Sequence, residues 1–197
     1  MARINFVNAA AHDQGECRAC HRPIVKGMGY KFFQLYKRTK SCYHAGCAIP
    51  RSHTTGSDKL ARVYEALETA EKAVSDWSPA AETYADLEAA LAACAEDVQA
   101  VADEYRESAD NIHQTFSEST TADECEEKAD ELESWVGELE VSFDDFEFDE
   151  VAALADIEVK EPEAVKEALA DARAEALETW ADEQRQAAED ALSACPV

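Results

Sequence analysis

No stretch of this 197-residue chain comes near the roughly 18 consecutive apolar residues that a membrane helix needs, so the sequence offers no candidate transmembrane segment. The opening stretch, Met1 to Gln14, lacks both the basic region and the apolar run of a secretory signal. An intracellular, cytoplasmic protein with no membrane partner is expected. Positive charge is scarce: 18 Lys and Arg stand against 43 Asp and Glu, for a net charge of -25. As a whole, such a molecule repels nucleic acid and anionic lipid. Seven cysteines, an odd number without a secretion signal, speak for reduced thiols over a disulfide framework.

That average hides a division. Residues 1 to 56 carry nine bases and only two acids, Asp13 and Glu16, whereas residues 57 to 197 carry nine bases and 41 acids. Charge asymmetry of this size between two parts of a chain is a domain-boundary signal. The sequence therefore predicts a basic head, 1–56, and an acidic remainder, 57–197. Cysteine divides the same way: Cys17, Cys20, Cys42 and Cys47 fall in the head, while Cys94, Cys125 and Cys195 stand singly.

The head contains Cys17-x2-Cys20 and, after 23 intervening residues, His44-x2-Cys47. Zinc takes four borderline or soft donors in a tetrahedron, and two ligands separated by two residues are presented together by one tight turn. One Zn2+ per chain is expected on Cys17, Cys20, His44 and Cys47. Cys42 is the alternate ligand, which would give a four-cysteine site, and His21 lies beside Cys20. Between the pairs, Gly27 and Gly29 permit a turn, and Tyr30, Phe32, Leu35 and Tyr36 interleave with polar residues as in a β-hairpin. A ligand-bearing turn, a hairpin and a second ligand pair opening a short helix make a treble clef.

Cys17-x2-Cys20, the following Ile24-Val25-Lys26-Gly27 and Tyr43-His44-x2-Cys47 together resemble the PARP-type zinc finger, a nucleic-acid-binding treble clef. The resemblance spans about residues 15 to 50 and implies the ligand set Cys17, Cys20, His44 and Cys47. Independently of it, Lys26, Lys31, Lys37, Arg38 and Lys40, with Tyr30, Phe32, Phe33 and Tyr36 among them, are candidates for phosphate pairing and base stacking. The competing reading is that the aromatic residues form the core of a small metal-dependent head. Nuclease chemistry would need further His, Asp or Asn beside a metal, and His12 and His53 stand in no such motif.

The remainder reads as an all-α, elongated helical bundle or coiled coil. Leu60, Val63, Leu67, Ala70, Val74 and Trp77 recur at steps of three and four from a start at Ser57-Asp58. Ser78-Pro79 interrupts and opens a second helix. Tyr84, Leu87, Leu91, Cys94, Val98, Val101, Tyr105, Ile112 and Phe116 form a heptad stripe along it. Thr121 with Glu124 forms a capping signal for a third helix bearing Cys125, Leu132, Trp135, Val136 and Leu139. Val151 to Val159 is a short unsettled stretch. Glu161-Pro162 opens a last helix with Val165, Leu169, Ala172, Ala176, Trp180, Gln184, Ala187 and Ala191 inward. Residues 102 to 140, ADEYRESADNIHQTF with EEKADELESWVGELE, resemble a two-helix module of uncharacterised tailed-virus proteins, which implies a viral origin.

Three readings of the acidic surface stay open: solubilisation in a salt-rich cytoplasm, contact with a basic protein, and imitation of DNA phosphates. For the second, Phe143, Phe146 and Phe148 in FDDFEFDE are the candidate anchors. The function expected is that of a non-enzymatic, zinc-containing viral protein with a nucleic-acid- or partner-binding head and an acidic helical protein-interaction domain. A DNA-mimic inhibitor of a host enzyme and a structural virion component are the alternatives. Self-association into a homo-oligomer is open.

Overall fold

A computed structural model describes residues 3–35, 40–116, 118–157 and 161–196. A small antiparallel sheet precedes a mostly helical chain. Its contacts form two compact units, one reaching to Glu68 and the other running from Thr69 to Pro196.

In the first unit, β1 (Asn5–Val7), β2 (Tyr30–Phe33) and β3 (Ser41–His44) lie in the order β1-β2-β3, all antiparallel. Tyr30 stands opposite Val7 on one side and His44 on the other. The expected hairpin is met in part: Tyr30 and Phe32 fall on β2, Leu35 lies beyond it, Tyr36 is outside the described residues, and the second strand comes from Ser41–His44. β1 is an addition that sequence reading does not provide, because only three residues pair. Ile24, Phe33, Tyr43 and Cys17 are fully buried or nearly so and form the core with Ala10, Tyr30 and Cys42. Phe33 stacks on Tyr43 with centroids 5.8 Å apart. Among the described residues, Tyr30, Phe33 and Tyr43 thus serve as the core, while Phe6 is exposed.

Two helices follow, α1 (Arg51–Thr54) and α2 (Asp58–Asp76). Pro50 precedes α1 and supplies no capping side chain. Glu68 of α2 does so instead: its carboxylate accepts the backbone N–H of Arg51 and of Ser52 and the Ser52 hydroxyl, the last at 2.7 Å. Donors that the helix itself leaves unpaired are thereby satisfied from a distant part of the chain.

In the second unit, α3 (Ala85–His113) and α4 (Thr120–Glu138) pair antiparallel, and α5 (Glu150–Asp156) and α6 (Pro162–Ser193) follow. Leu87, Leu91, Cys94, Val98 and Val101 of the heptad stripe are buried, after which burial passes to Ala102 and Ala109. With Ala122 and Ala129 of α4, equally buried, these small residues let the two helices approach closely. In α6 the buried positions are confined to Trp180 through Leu192, while Val165, Leu169, Ala172 and Ala176 are half-buried.

Three sequence expectations are corrected. Ser78 does cap a turn, accepting the Ala80 N–H at 3.4 Å, but only a 3-10 turn at Pro79–Ala81 results. Glu82 then turns into the left-handed region at φ 52°, and α3 starts three residues later. Phe116 lies beyond the end of α3 and is 64% exposed, so the stripe stops before it. α4 begins at Thr120 behind Ser119, ahead of the Thr121 capping signal.

The capping role of Glu68 has a direct check. Charge-assisted hydrogen bonds contribute about 1.5–3 kcal/mol each before solvent exposure reduces them, so Glu68→Ala is expected to destabilise the first unit by about 1–2 kcal/mol. Hydrogen exchange should show the Arg51 and Ser52 amides losing protection first, and unchanged protection would refute the cap.

Candidate metal centre

The Cys17–Cys20 turn is built by a narrow loop of antiparallel backbone pairing. Ile24 N–H donates to Gly15 O at 2.8 Å and Cys17 N–H to Arg22 O at 2.9 Å, with Glu16 bridging to Pro23. Gly15 occupies φ +85°, a conformation that glycine adopts without Cβ strain. His21 closes the turn by donating its N–H to Cys17 O at 2.9 Å, in the left-handed conformation at φ 56°. It belongs to the turn and stands outside the ligand cluster.

The second pair comes from the sheet. His44 ends β3, and Cys47 sits in the following turn, its N–H donating to His44 O at 3.1 Å. The expectation that this pair opens a helix is corrected: the first helix starts only at Arg51, because Pro50 and the turn intervene. The loop and the sheet are tied together by Arg18 N–H on Cys42 O at 3.0 Å and by His44 N–H on Cys17 Sγ at 3.3 Å.

Cys17, Cys20, His44 and Cys47 thus converge, their donor atoms all within 4.8 Å of one another. Tetrahedral zinc with Zn–S near 2.3 Å and Zn–N near 2.0–2.1 Å sets its donors about 3.5–3.8 Å apart. Cys20 Sγ and His44 Nδ1 are 3.3 Å apart. On the other side of the ring, His44 Nε2 lies 3.3 Å from Pro23 O, placed to donate its proton there. A carbonyl on the far nitrogen fixes the tautomer that leaves Nδ1 free to ligate. Cys42 is buried in the core and outside the cluster, and burial raises its pKa.

The electrostatics fit a cation. The backbone N–H of Arg22, and then its guanidinium, hold the Cys20 thiol down to about 6. Burial works against ionisation of Cys17, but the N–H groups of Cys20, His44 and Ala19 outweigh it and lower its pKa. Cys47 is pushed up to about 11 by desolvation and by its two thiol neighbours. Three thiols in this space do not all ionise without positive charge among them. A divalent ion supplies that charge and deprotonates its thiol ligands. Four protein donors close a tetrahedral site, the arrangement of a structural metal rather than one with an open position for substrate. Bound zinc would cross-link the loop to the sheet.

The other described candidate residues of the head have separate surroundings. Lys40 Nζ donates to Gln14 Oε1 at 2.9 Å and Tyr30 OH at 3.0 Å, and lies 4.1 Å from the Phe32 ring centroid. Lys26 is exposed, its N–H bound to Asp13 Oδ1 at 2.8 Å. Lys31 is half-buried on β2 opposite Phe6 and Tyr43. Tyr36, Lys37 and Arg38 lie outside the described residues. His53, for which the sequence shows no partner, meets Tyr43 OH at 2.7 Å through Nδ1. Sequence reading misses Arg22, whose place beside Cys20 depends on the turn geometry.

The FDDFEFDE segment is in the second unit. Phe143 stacks on Tyr84 at 5.4 Å, Phe146 packs against Trp180 at 5.6 Å, and Phe148 is half-buried. Trp180 Nε1–H donates to Asp144 O at 2.7 Å, and Asp144 N–H donates to Gln184 Oε1 at 3.1 Å. Both backbone groups of Asp144 are therefore held by α6. Phe143 and Phe146, two of the three candidate anchors, each pack on a ring of their own chain.

No protein-family model matches the chain, and comparison with curated proteins and with solved structures finds no match.

Protein purified without added zinc is expected to carry about one equivalent per chain. Cys17→Ser should lose the metal and the fold of the sheet while α3, α4 and α6 keep their far-ultraviolet helix signal. Cys42→Ser should retain the metal and His44→Ala should not. Metal analysis of the three variants decides, and the reverse order for the last two would move the fourth ligand to Cys42.

Proposed function

We propose that this chain is a non-enzymatic binding protein in which a zinc-held head and an acidic helical unit each supply a contact surface. The observation that carries the reading is a groove of about 780 Å³ in the helical unit. Phe143, Phe146 and Trp180 line it together with Asp144, Asp145, Glu147 and Glu183. Aromatic faces beside carboxylates suit a guanidinium or ammonium group, which gains ring attraction and charge pairing together. The fold itself uses that chemistry: Arg173 pairs with both oxygens of Glu82 at 2.8 and 2.7 Å while its guanidinium carbon lies 5.8 Å from the Phe146 ring.

The ligand of the groove is a Lys- or Arg-bearing segment of a partner protein. The head, with nine of the chain's 18 bases, is the part suited to nucleic acid. Its resemblance to PARP-type fingers supports zinc as the ion, and the resemblance of residues 102 to 140 to tailed-virus proteins supports a viral setting.

Any strongly acidic protein attracts a basic peptide, so the test separates groove from field. Calorimetry in 0.15 M salt with an Arg-rich peptide compares the full chain with D145N/E147Q and with E127Q/E138Q, which removes equal charge from α4. The groove pair is expected to weaken binding about tenfold, or ~1.4 kcal/mol, and the α4 pair about twofold or less. Equal losses would mean attraction by the general field and would reject the groove.

A further inference from the structure

The paired helices α3 and α4 carry one side-chain arrangement twice, seven residues apart. In the inner copy, Arg106 of α3 reaches Asp130 Oδ1 at 2.9 Å and Glu133 Oε2 at 2.5 Å on α4. In the outer copy the same places are taken by His113, Asp123 and Glu126. His113 Nε2 lies 3.5 Å from Glu126 Oε1 and 3.9 Å from Asp123 Oδ1. All three donor atoms fall within 4.8 Å of one another. The carboxylates of the inner copy face a permanently charged guanidinium. Those of the outer copy face an imidazole, which in its neutral form brings a lone pair instead of a charge.

We propose that His113, Asp123 and Glu126 form a second cation site, separate from the cysteine centre, that takes a first-row divalent ion such as Mn2+ or Zn2+. One imidazole nitrogen with two carboxylate oxygens is a donor set for such ions, and water completes the shell. The donors spread more widely than the roughly 3.0–3.5 Å that metal–ligand bonds near 2.1 Å impose. Small side-chain rotations close that difference, because His113, Asp123 and Glu126 are 31, 71 and 55% exposed and free to adjust. A cavity of about 270 Å³ lies alongside, lined by Arg106, Asp110, Glu126 and Asp130. It has room for the waters of a hydrated ion and adds further carboxylates around it. The ion ties the end of α3 to the start of α4, as Arg106 does two turns further in.

The full-length protein, its zinc in place, is titrated with MnCl2 in 0.15 M NaCl while free Mn2+ is read by electron paramagnetic resonance. Saturable uptake of one ion per chain is expected, weakened about tenfold or more by H113Q, which leaves the net charge of the neutral form unchanged. Mn2+ should also raise the thermal midpoint of the wild type and leave that of H113Q in place. Equal uptake by the two proteins would mean ions held diffusely by the acidic surface, and absence of saturable uptake would equally overturn the site. Should H113Q lose helix content, H113N replaces it, with the same expected loss and the same overturning result.

Discussion

Positive charge is the scarce component of the helical unit, and the placement of each arginine reflects that shortage. Arg106 bridges α3 to two acids of α4, Arg173 joins α6 to Glu82, and Arg185 pairs with Asp182 while lying 5.6 Å from the Trp77 ring. These pairs are substantially exposed, so each contributes about 0.2–1 kcal/mol and mainly sets register. Cohesion has to come from elsewhere. Leu87, Leu91, Val98, Val101, Leu132 and Trp135 are almost wholly buried, and each such side chain contributes about 1.5–3 kcal/mol. Mutual repulsion of the acids opposes that term without supplying any direction of its own.

Polar side chains complete the same unit by holding backbone that has no partner in a helix. Trp180 and Gln184 hold Asp144, and the buried Trp135 donates through Nε1 to Ala191 O at 2.9 Å. Such bonds act where a missing partner would be costly. They explain why a run as acidic as FDDFEFDE has a defined course, with Phe143 resting on Tyr84 and Phe146 on Trp180.

The long helices are legible in the sequence because period-3.6 stripes such as Leu87-Leu91-Cys94-Val98 repeat over several turns, and local pattern then dominates. The metal ligands are legible for a similar reason: paired donors two residues apart signal a turn whatever surrounds it. Legibility fails where tertiary contact decides. Glu68 caps α1 across 17 residues of sequence. The left-handed Glu82 that delays α3 carries both hydrogen bonds from Arg173, 91 residues away. Neither relation leaves a local signature. The groove is half legible, its phenylalanines visible in sequence and Trp180, on α6, invisible as their neighbour.

The two copies on the α3–α4 seam illustrate the consequence for a chain this acidic of running short of bases. Salt screens over about 10 Å at 0.1 M, which softens repulsion between distant carboxylates and does little for two that face one another across a helix pair. Close pairs need a cation in contact, and the chain provides one at Arg106 but not, except by protonation, at His113. The same reasoning applies at the groove, where Asp144, Asp145, Glu147 and Glu183 border aromatic faces. On the two proposals, an arginine of a partner and a divalent ion would be the same kind of ligand: each would bring to a cluster of carboxylates the positive charge that the sequence lacks. Selectivity would then rest on the donor set, with aromatic faces favouring the flat, weakly hydrated guanidinium and imidazole favouring the metal.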